Sequence, residues 1–291
     1  MQNPINFLTV PGLYGKVVNS FIEPIQTHLG KSKISKESIP NSINLHFFLE
    51  EHYRKQSKSE IGTSVFMSHG LADKGWWDIN SINTYDYVCV PGPLWMRKMI
   101  QEGIPEKKIL MVGYPKLDPL YFIKKEEKQV KKVLWAPTHN NSISSYPQFN
   151  DYLNQFPVDF VIESSLHPQN KQNNKPTFTE LAHADIVIAD SGSLLYEAWA
   201  LNIPVIFPDW LVKEKLLRHY PTTLEAKIYR ENIGYHATSF EHLIELIYCA
   251  LQHGVDQSAK KLIDEILPPS FRGNSGKITA EKLLTLQMKS K

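Results

Sequence analysis

The residues of this chain that can do chemistry sit where short apolar runs end. The most informative stretch is Ala184–Pro208, ADIVIADSGSLLYEAWALNIPVIFP, in which Asp185–Ala189 passes into Asp190, Ser191, Gly192 and Ser193 and then a helical segment, Leu194–Leu201. Free amides at a helix start, a glycine permitting close approach and hydroxyls alongside make an anion site suited to a phosphate. Glu197, one turn on from Ser193, is spaced to reach ribose hydroxyls of the same ligand. A plain N-cap at Asp190, Ser191 or Ser193 is the competing reading. A capping box would want Glu or Gln three residues on, and Ser193, Leu194 and Tyr196 stand there instead.

A second stretch, Thr63–Trp77 (TSVFMSHGLADKGWW), ends its apolar run in His69 and Gly70, with Lys74 following. His69 suits a general base on a hydroxyl, because imidazole titrates near working pH. Gly70 beside it leaves room for a substrate, and Lys74 can neutralise a phosphate or diphosphate. A turn histidine next to a surface lysine explains the same residues without chemistry. Two further runs, VLWAPTHN (Val133–Asn140) and FVIESSLHPQN (Phe160–Asn170), deliver Thr138, His139 and Asn140 into one loop and Ser165, His167 and Gln169 into another. Pro168 biases His167 toward an extended backbone.

Such loops need rigid elements behind them. Apolar runs at Asn6–Val10, Ser64–Ser68, Tyr87–Val90 and Ile109–Val112, then Lys132–Ala136, Asp159–Glu163, Asp185–Ala189, Pro204–Phe207 and Gly234–Ala237, alternate with amphipathic stretches. That is the pattern of strands feeding helices, and runs such as VLWA, IVIA and VIF suit parallel strands buried on both faces. Gly30–Glu60 is polar and Lys/Ser-rich apart from Leu45–Leu49, and reads as partly mobile. The charged IKKEEKQVKK (Ile123–Lys132) marks a boundary between two domains, 1–125 and 126–273, with a helix over 274–291. Open α/β sheets place ligands at strand carboxyl ends, where the polar residues above fall.

The 291 residues, 42% hydrophobic and 21% charged, exclude fibrous, low-complexity and disulfide-scaffold classes. A net charge of +2 gives no support for a nucleic-acid partner. Cys89 and Cys249 form no C-x-x-C pair, which argues against a structural zinc site. With no apolar stretch approaching a membrane span, the expected location is the cytoplasm. No G-x-G-x-x-G, P-loop, H-E-x-x-H or G-x-S-x-G is present, which disfavours ordinary dinucleotide enzymes, P-loop NTPases, zincins and α/β-hydrolases.

Taken in order, His69-Gly70 with Lys74, DYVCVPGP, VGYPKLD, WAPTHN, LHP and ADIVIADSGSLLYEAWALNIPVIF resemble the CDP-glycerol glycerophosphotransferase family of teichoic-acid and capsule polymer synthesis. The resemblance spans roughly Thr63 to Asp209. It implies an α/β, GT-B-like fold: two Rossmann-type domains with parallel sheets facing a central cleft, acceptor on the first, CDP-linked donor on the second, and the last helix packing back across. By carry-over, His69 is the family's base, His167 engages the donor phosphate, Asp190 matches the family's Asp, and Ser193 matches the second of its paired serines. Glu197 falls where the family has Asp. The sequence departs from the family at His139 and Asn140, which replace Trp and Arg, and at Ser191 and Gly192, which replace Tyr and the first Ser.

The implied reaction moves glycerol phosphate or a similar polyol phosphate from a CDP-polyol to a lipid-linked or polymer hydroxyl. His69 takes the proton, while His167, Lys74 and the loop Thr138, Asp190, Ser191, Gly192 and Ser193 handle the phosphates. No cofactor is required, and Mg²⁺ on the diphosphate is compatible with the scheme. The resemblance also implies peripheral contact with the inner membrane face, for which Lys31, Lys33, Lys36, Arg54, Lys55 and Lys58 could supply charge, although such residues are more often simply a solvated face. Three other readings stay open: a GT-B glycosyltransferase using a UDP- or GDP-sugar, a non-catalytic nucleotide-binding subunit, and a nucleotide-sugar 2-epimerase. No acidic pair on the first-domain loops supports the last.

Overall fold

The computed structural model describes residues 4–49, 62–73, 78–123, 129–138, 140–166 and 180–289. The chain forms two compact units, one from Met1–His69, Trp77–Phe122 and Asp264–Lys291, the other from Gly70–Trp76 and Ile123–Ile263. The sequence boundary within Ile123–Lys132 compares with a division after Phe122, and the last stretch joining the first unit starts at Asp264.

In the first unit, β1 (Ile5–Leu8), β2 (Ser32–Ser35), β3 (Ile43–His46), β4 (Thr63–Met67), β5 (Tyr87–Val90) and β6 (Ile109–Met111) lie in the order β2-β1-β3-β4-β5-β6. All neighbours are parallel. Helix α1 (Leu13–Gln26) covers the sheet with Val18, Phe21, Ile22 and Ile25, a helical i, i+3, i+4, i+7 stripe, all buried. Phe21 meets Phe47 at 5.6 Å and Tyr114 edge-on at 5.0 Å. Shorter helices α2 (Ile79–Asn83) and α3 (Pro93–Gln101) follow β4 and β5.

Strands β2 and β3 lie within Gly30–Glu60, the polar stretch in which the sequence showed no strand, and residues 50–60 of that stretch lie outside the described ones. The buried Asn44 of β3 is paired inside the sheet. Asn44 sits in register with Asn6 of β1, and the Asn6 amide donates to Asn44 Oδ1 at 2.8 Å. Asn44 also accepts from Ile39 N and donates to Ile39 O, while Ser35 donates to Asn6 Oδ1. Burying these amides is tolerable because each finds a partner.

The C-terminal helix, Ser275–Lys289, belongs to this unit and is anchored by the VGYPKLD motif. Asp118 accepts from Ser275 N (3.2 Å) and Gly276 N (2.6 Å), satisfying amides at the helix start. Gly113 (φ 82°) has no room for a Cβ, which would collide with the Ser275 hydroxyl. Burial holds the Asp118 carboxyl up at about 6 against these donors.

The second unit has β7 (Lys131–Ala136), β8 (Phe160–Ser164), β9 (Ile186–Ala189), β10 (Val205–Pro208) and β11 (Tyr235–Ala237) in the order β11-β10-β9-β7-β8. All pairs are again parallel. Every residue of β9 and β10 is buried, as continuous apolar runs in a doubly covered sheet require. Helices α4 (Ser193–Ala200), α5 (Asp209–His219), α6 (Leu224–Glu231), α7 (Phe240–His253) and α8 (Gln257–Ile266) complete the succession. Phe240, Leu243, Ile247 and Ala250 of α7 join Val133, Trp135, Ile186, Ile188 and Ile206 in one core cluster.

Candidate functional site

Strand order in the second unit reverses between β7 and β9, because the chain steps outward to β8 and then returns past β7. Loops leaving neighbouring strands on opposite courses open a crevice at such a point, the usual ligand position in an open α/β sheet. Thr138 follows the end of β7, and Asp190, Ser191 and Gly192 follow β9.

Asp190 organises this point. Its Oδ2 accepts from Thr138 N (3.0 Å), Ser145 N (2.8 Å) and Ser144 Oγ (3.2 Å), so one carboxylate oxygen ties down both ends of the loop after β7. Tyr229 Oη donates to the Asp190 carbonyl at 2.7 Å. Burial pushes the Asp190 carboxyl up to about 6, against the pull of those donors. Three buried polar atoms here have no hydrogen-bond partner among the described residues: Thr138 Oγ1, Asp190 Oδ1 and Ser191 Oγ. Unsatisfied buried groups are costly, so three at one strand-end crevice mark a place built for something else to bind.

Gly192 adopts φ 102°, a left-handed conformation glycine takes without strain, and turns the chain into α4 with no side-chain cap. Ser193 opens the helix, and its Oγ accepts from Leu71 N (2.9 Å) and Ala72 N (3.3 Å). A hydroxyl has two lone pairs and one hydrogen. With both lone pairs taken, Ser193 has only its hydrogen left to offer, which makes it a donor of fixed sense at a positive helix end. Gly70 has a different use from the substrate clearance expected of it: a Cβ there would lie 2.7 Å from Ser193 Oγ, so the missing side chain makes room for this serine. Glu197, one turn into α4, is buried with 1% of its surface exposed.

In the first unit, His69 is exposed at the end of β4. Its Nδ1 lies 3.1 Å from the Phe47 carbonyl, which only accepts, so Nδ1 carries the hydrogen and Nε2 carries the lone pair of the neutral ring. Phe48 packs on the ring at 4.4 Å, and Tyr114 Oη donates to the His69 carbonyl at 3.1 Å. Lys74, His139 and His167, with Pro168, Gln169 and Asn170, lie outside the described residues, as do Arg54, Lys55 and Lys58.

The structure thus gathers Thr138, Asp190, Ser191, Gly192 and Ser193 in the second unit and sets His69 in the first. Sequence reading missed Ser144 and Ser145, the Tyr229 hydroxyl and the Leu71 and Ala72 amides. The SIS-SY run after PTHNN was the visible hint for the serines; a backbone amide leaves no signal in a sequence. Among the described residues no group of three or more His, Cys, Asp or Glu could hold a metal ion, and no helix is long and apolar enough to cross a membrane.

Two parallel α/β sheets with strand-end sites define a GT-B-like fold, and solved structures bear this out. A variant of the wall teichoic acid polymerase TagF superposes with a TM-score of 0.69 at 14% identity, covering 99% of this chain and 90% of that one. A UDP-GlcNAc 2-epimerase from Neisseria meningitidis, bound to UDP-GlcNAc, gives 0.56 at 16% identity over 98% and 100%. No protein-family model matches the chain. In sequence it is 28% identical over 152 residues to the teichoic acid glycerol-phosphate primase of Bacillus subtilis (strain 168), a match covering 43% of this chain and 40% of that enzyme. The chain is therefore similar over part of its sequence to the teichoic acid glycerol-phosphate primase, and in fold to TagF.

Proposed function

We propose that the protein transfers a polyol phosphate, glycerol phosphate or a close analogue, from a CDP-linked donor to an acceptor hydroxyl of a cell-surface polymer or its lipid-linked primer. The observation that carries this reading is Ser193: a hydroxyl whose lone pairs are both filled, at the start of a helix, beside the unsatisfied buried hydroxyls of Thr138 and Ser191 at the strand-order reversal. Such a group favours an anion and has nothing to offer a donor.

In the reaction, the acceptor oxygen attacks the β-phosphorus of the diphosphate as its proton passes to Nε2 of His69. The bond from the β-phosphorus to the bridging oxygen breaks, and CMP leaves with that oxygen. Ser193 and the α4 amides stabilise charge on the phosphoryl oxygens, and Lys74 and His167 add positive charge to the same oxygens. In this reading Asp190 holds the loop that shapes the site and makes no phosphate contact, since a carboxylate facing a diphosphate would repel it. No resident cofactor is needed; a Mg²⁺ would arrive with the diphosphate. A lipid-linked acceptor would bring the protein to the inner membrane face, where the exposed Lys31, Lys33 and Lys36 would meet anionic lipid. A distant primase relative and a TagF variant soaked with CDPG support the choice of donor class.

The test is a calorimetric titration with CDP, CMP, UDP and GDP, followed by product analysis with CDP-glycerol and an acceptor. Selective cytidine-nucleotide binding, CMP as product, and turnover abolished by His69→Ala with binding retained are the expected results. Selective UDP or GDP binding with release of a nucleoside diphosphate would replace the reading with a sugar transferase. Nucleotide binding without turnover, unaffected by His69→Ala, would make the protein a binding subunit.

A further inference from the structure

Residues 70–73 are held in the second unit by exchanged hydrogen bonds. Asp73 N donates to Glu225 Oε1 at 3.0 Å, and Leu224 N donates to Asp73 Oδ2 at 2.9 Å. This is the logic of a capping box, with its two halves on segments some 150 positions apart in sequence. Thr223 caps the same helix start, its hydroxyl accepting from Ala226 N at 3.2 Å. Asp73 is 3% exposed and Glu225 2%, so two carboxylates are buried together at the positive end of α6, where the helix dipole favours them. Tyr196 of α4 adds a donor to Glu225 Oε1 at 2.9 Å. Burial and the neighbouring carboxylate hold the Tyr196 phenol well above its ordinary range, so it stays a donor at working pH.

Immediately before Asp73 stand the two amides that fill the lone pairs of Ser193. An acid in the first turn of a helix needs no burial to be useful, and an exposed Glu225 would serve the dipole as well. Its burial onto Asp73 instead fixes the segment that dictates what Ser193 can donate. We propose that Glu225 is a positioning residue for phosphate recognition: by gripping Asp73 it keeps Leu71 N and Ala72 N on Ser193 Oγ and the Ser193 hydrogen directed at the ligand. This inference rests on the reading of Ser193 as a phosphate donor.

The experiment measures the affinity of the full chain for CDP and for cytidine, and takes their ratio as the phosphate contribution. Glu225→Ala should lower the ratio about tenfold while leaving cytidine affinity unchanged, the size of one misdirected charge-assisted hydrogen bond. Glu225→Gln keeps an acceptor for Asp73 N and should restore the ratio to within about threefold of the native protein. Asp73→Ala, which breaks the reciprocal bond from Leu224 N, should reproduce the alanine effect and serves if Glu225→Ala does not fold. An unchanged ratio in a folded alanine variant, or equal losses for CDP and cytidine, would overturn the inference alone. A native protein that binds CDP no better than cytidine would overturn the phosphate reading of Ser193, and this inference with it.

Discussion

Replacing Gly70 by alanine tests the Ser193 arrangement through a clash of known place and size. The added methyl would lie 2.7 Å from Ser193 Oγ, well inside the ~3.3 Å at which carbon and oxygen sit comfortably. The backbone at Gly70 is outside the left-handed region, so the collision is the whole perturbation. Ser193 has one side-chain torsion, and turning it to escape withdraws the oxygen from both Leu71 N and Ala72 N. Leu71 is 1% exposed, so its amide loses an acceptor it cannot replace with water. An unsatisfied buried donor costs about 1–3 kcal/mol, which puts Gly70→Ala near ~2 kcal/mol. Ser193→Ala removes the same acceptor by another route and should cost about as much. In the double variant the amides are lost once, so urea unfolding should give ~2 kcal/mol rather than ~4, a coupling of about 2 kcal/mol. CDP affinity should fall by about tenfold in all three proteins, because each lacks the oriented donor. Additive losses, or a Gly70→Ala protein as stable as the native one, would refute the account of how Ser193 is held.

Three further predictions concern buried ionisable groups. The Asp190 carboxyl, raised to about 6 by burial, binds its proton more tightly folded than unfolded, so its stabilisation is present below pH ~4 and lost as pH rises through about 6. Asp190→Asn cannot titrate, and the native protein should lose up to ~3 kcal/mol relative to it between pH 4 and pH 7 in urea unfolding. His46, lowered to about 4 by burial in β3, works in the opposite sense. Its contribution is present above pH ~6.5 and lost as pH falls to about 4, so His46→Phe should flatten a slope of the other sign in the same experiment. Asp118→Ala leaves Ser275 N and Gly276 N without their acceptor and should destabilise by ~1–2 kcal/mol, with earlier proteolytic cleavage around 264–276 than in the native protein.

The elements legible in the sequence were those whose stability is written in a local pattern. IVIA and VIF at β9 and β10 are buried on both faces and could be little else than central parallel strands. Strand β2 hides because it is an edge: SKIS pairs on one side only, and its exposed Lys33 guards the open side against further pairing. In β3, INLH carries Asn44 and His46 in positions that are 0% exposed. Nothing within four residues announces that Asn6, nearly forty positions earlier, will pair with that amide.

The candidate site divides along the same line. Residues at the carboxyl ends of β7 and β9 were legible because topology alone places ligands there, and Asp190-Ser191-Gly192-Ser193 has the types an anion needs. The tertiary structure decides what each of them does. Ser193 is a donor only because amides 122 and 121 positions away occupy its oxygen, and Gly70, two positions from the second of those amides, is small for the sake of that contact. Asp190, of the type most readily assigned to catalysis, spends one oxygen on three donors of a single loop. The HG and GYPxxD signatures share this character. Each carries a residue whose chemistry is visible, His69 or Asp118, beside a glycine whose absent side chain accommodates a serine, Ser193 or Ser275. A motif of this kind is half a contact, and its other half lies in another part of the chain, which is why order and spacing identify the fold before they identify the job of any one residue.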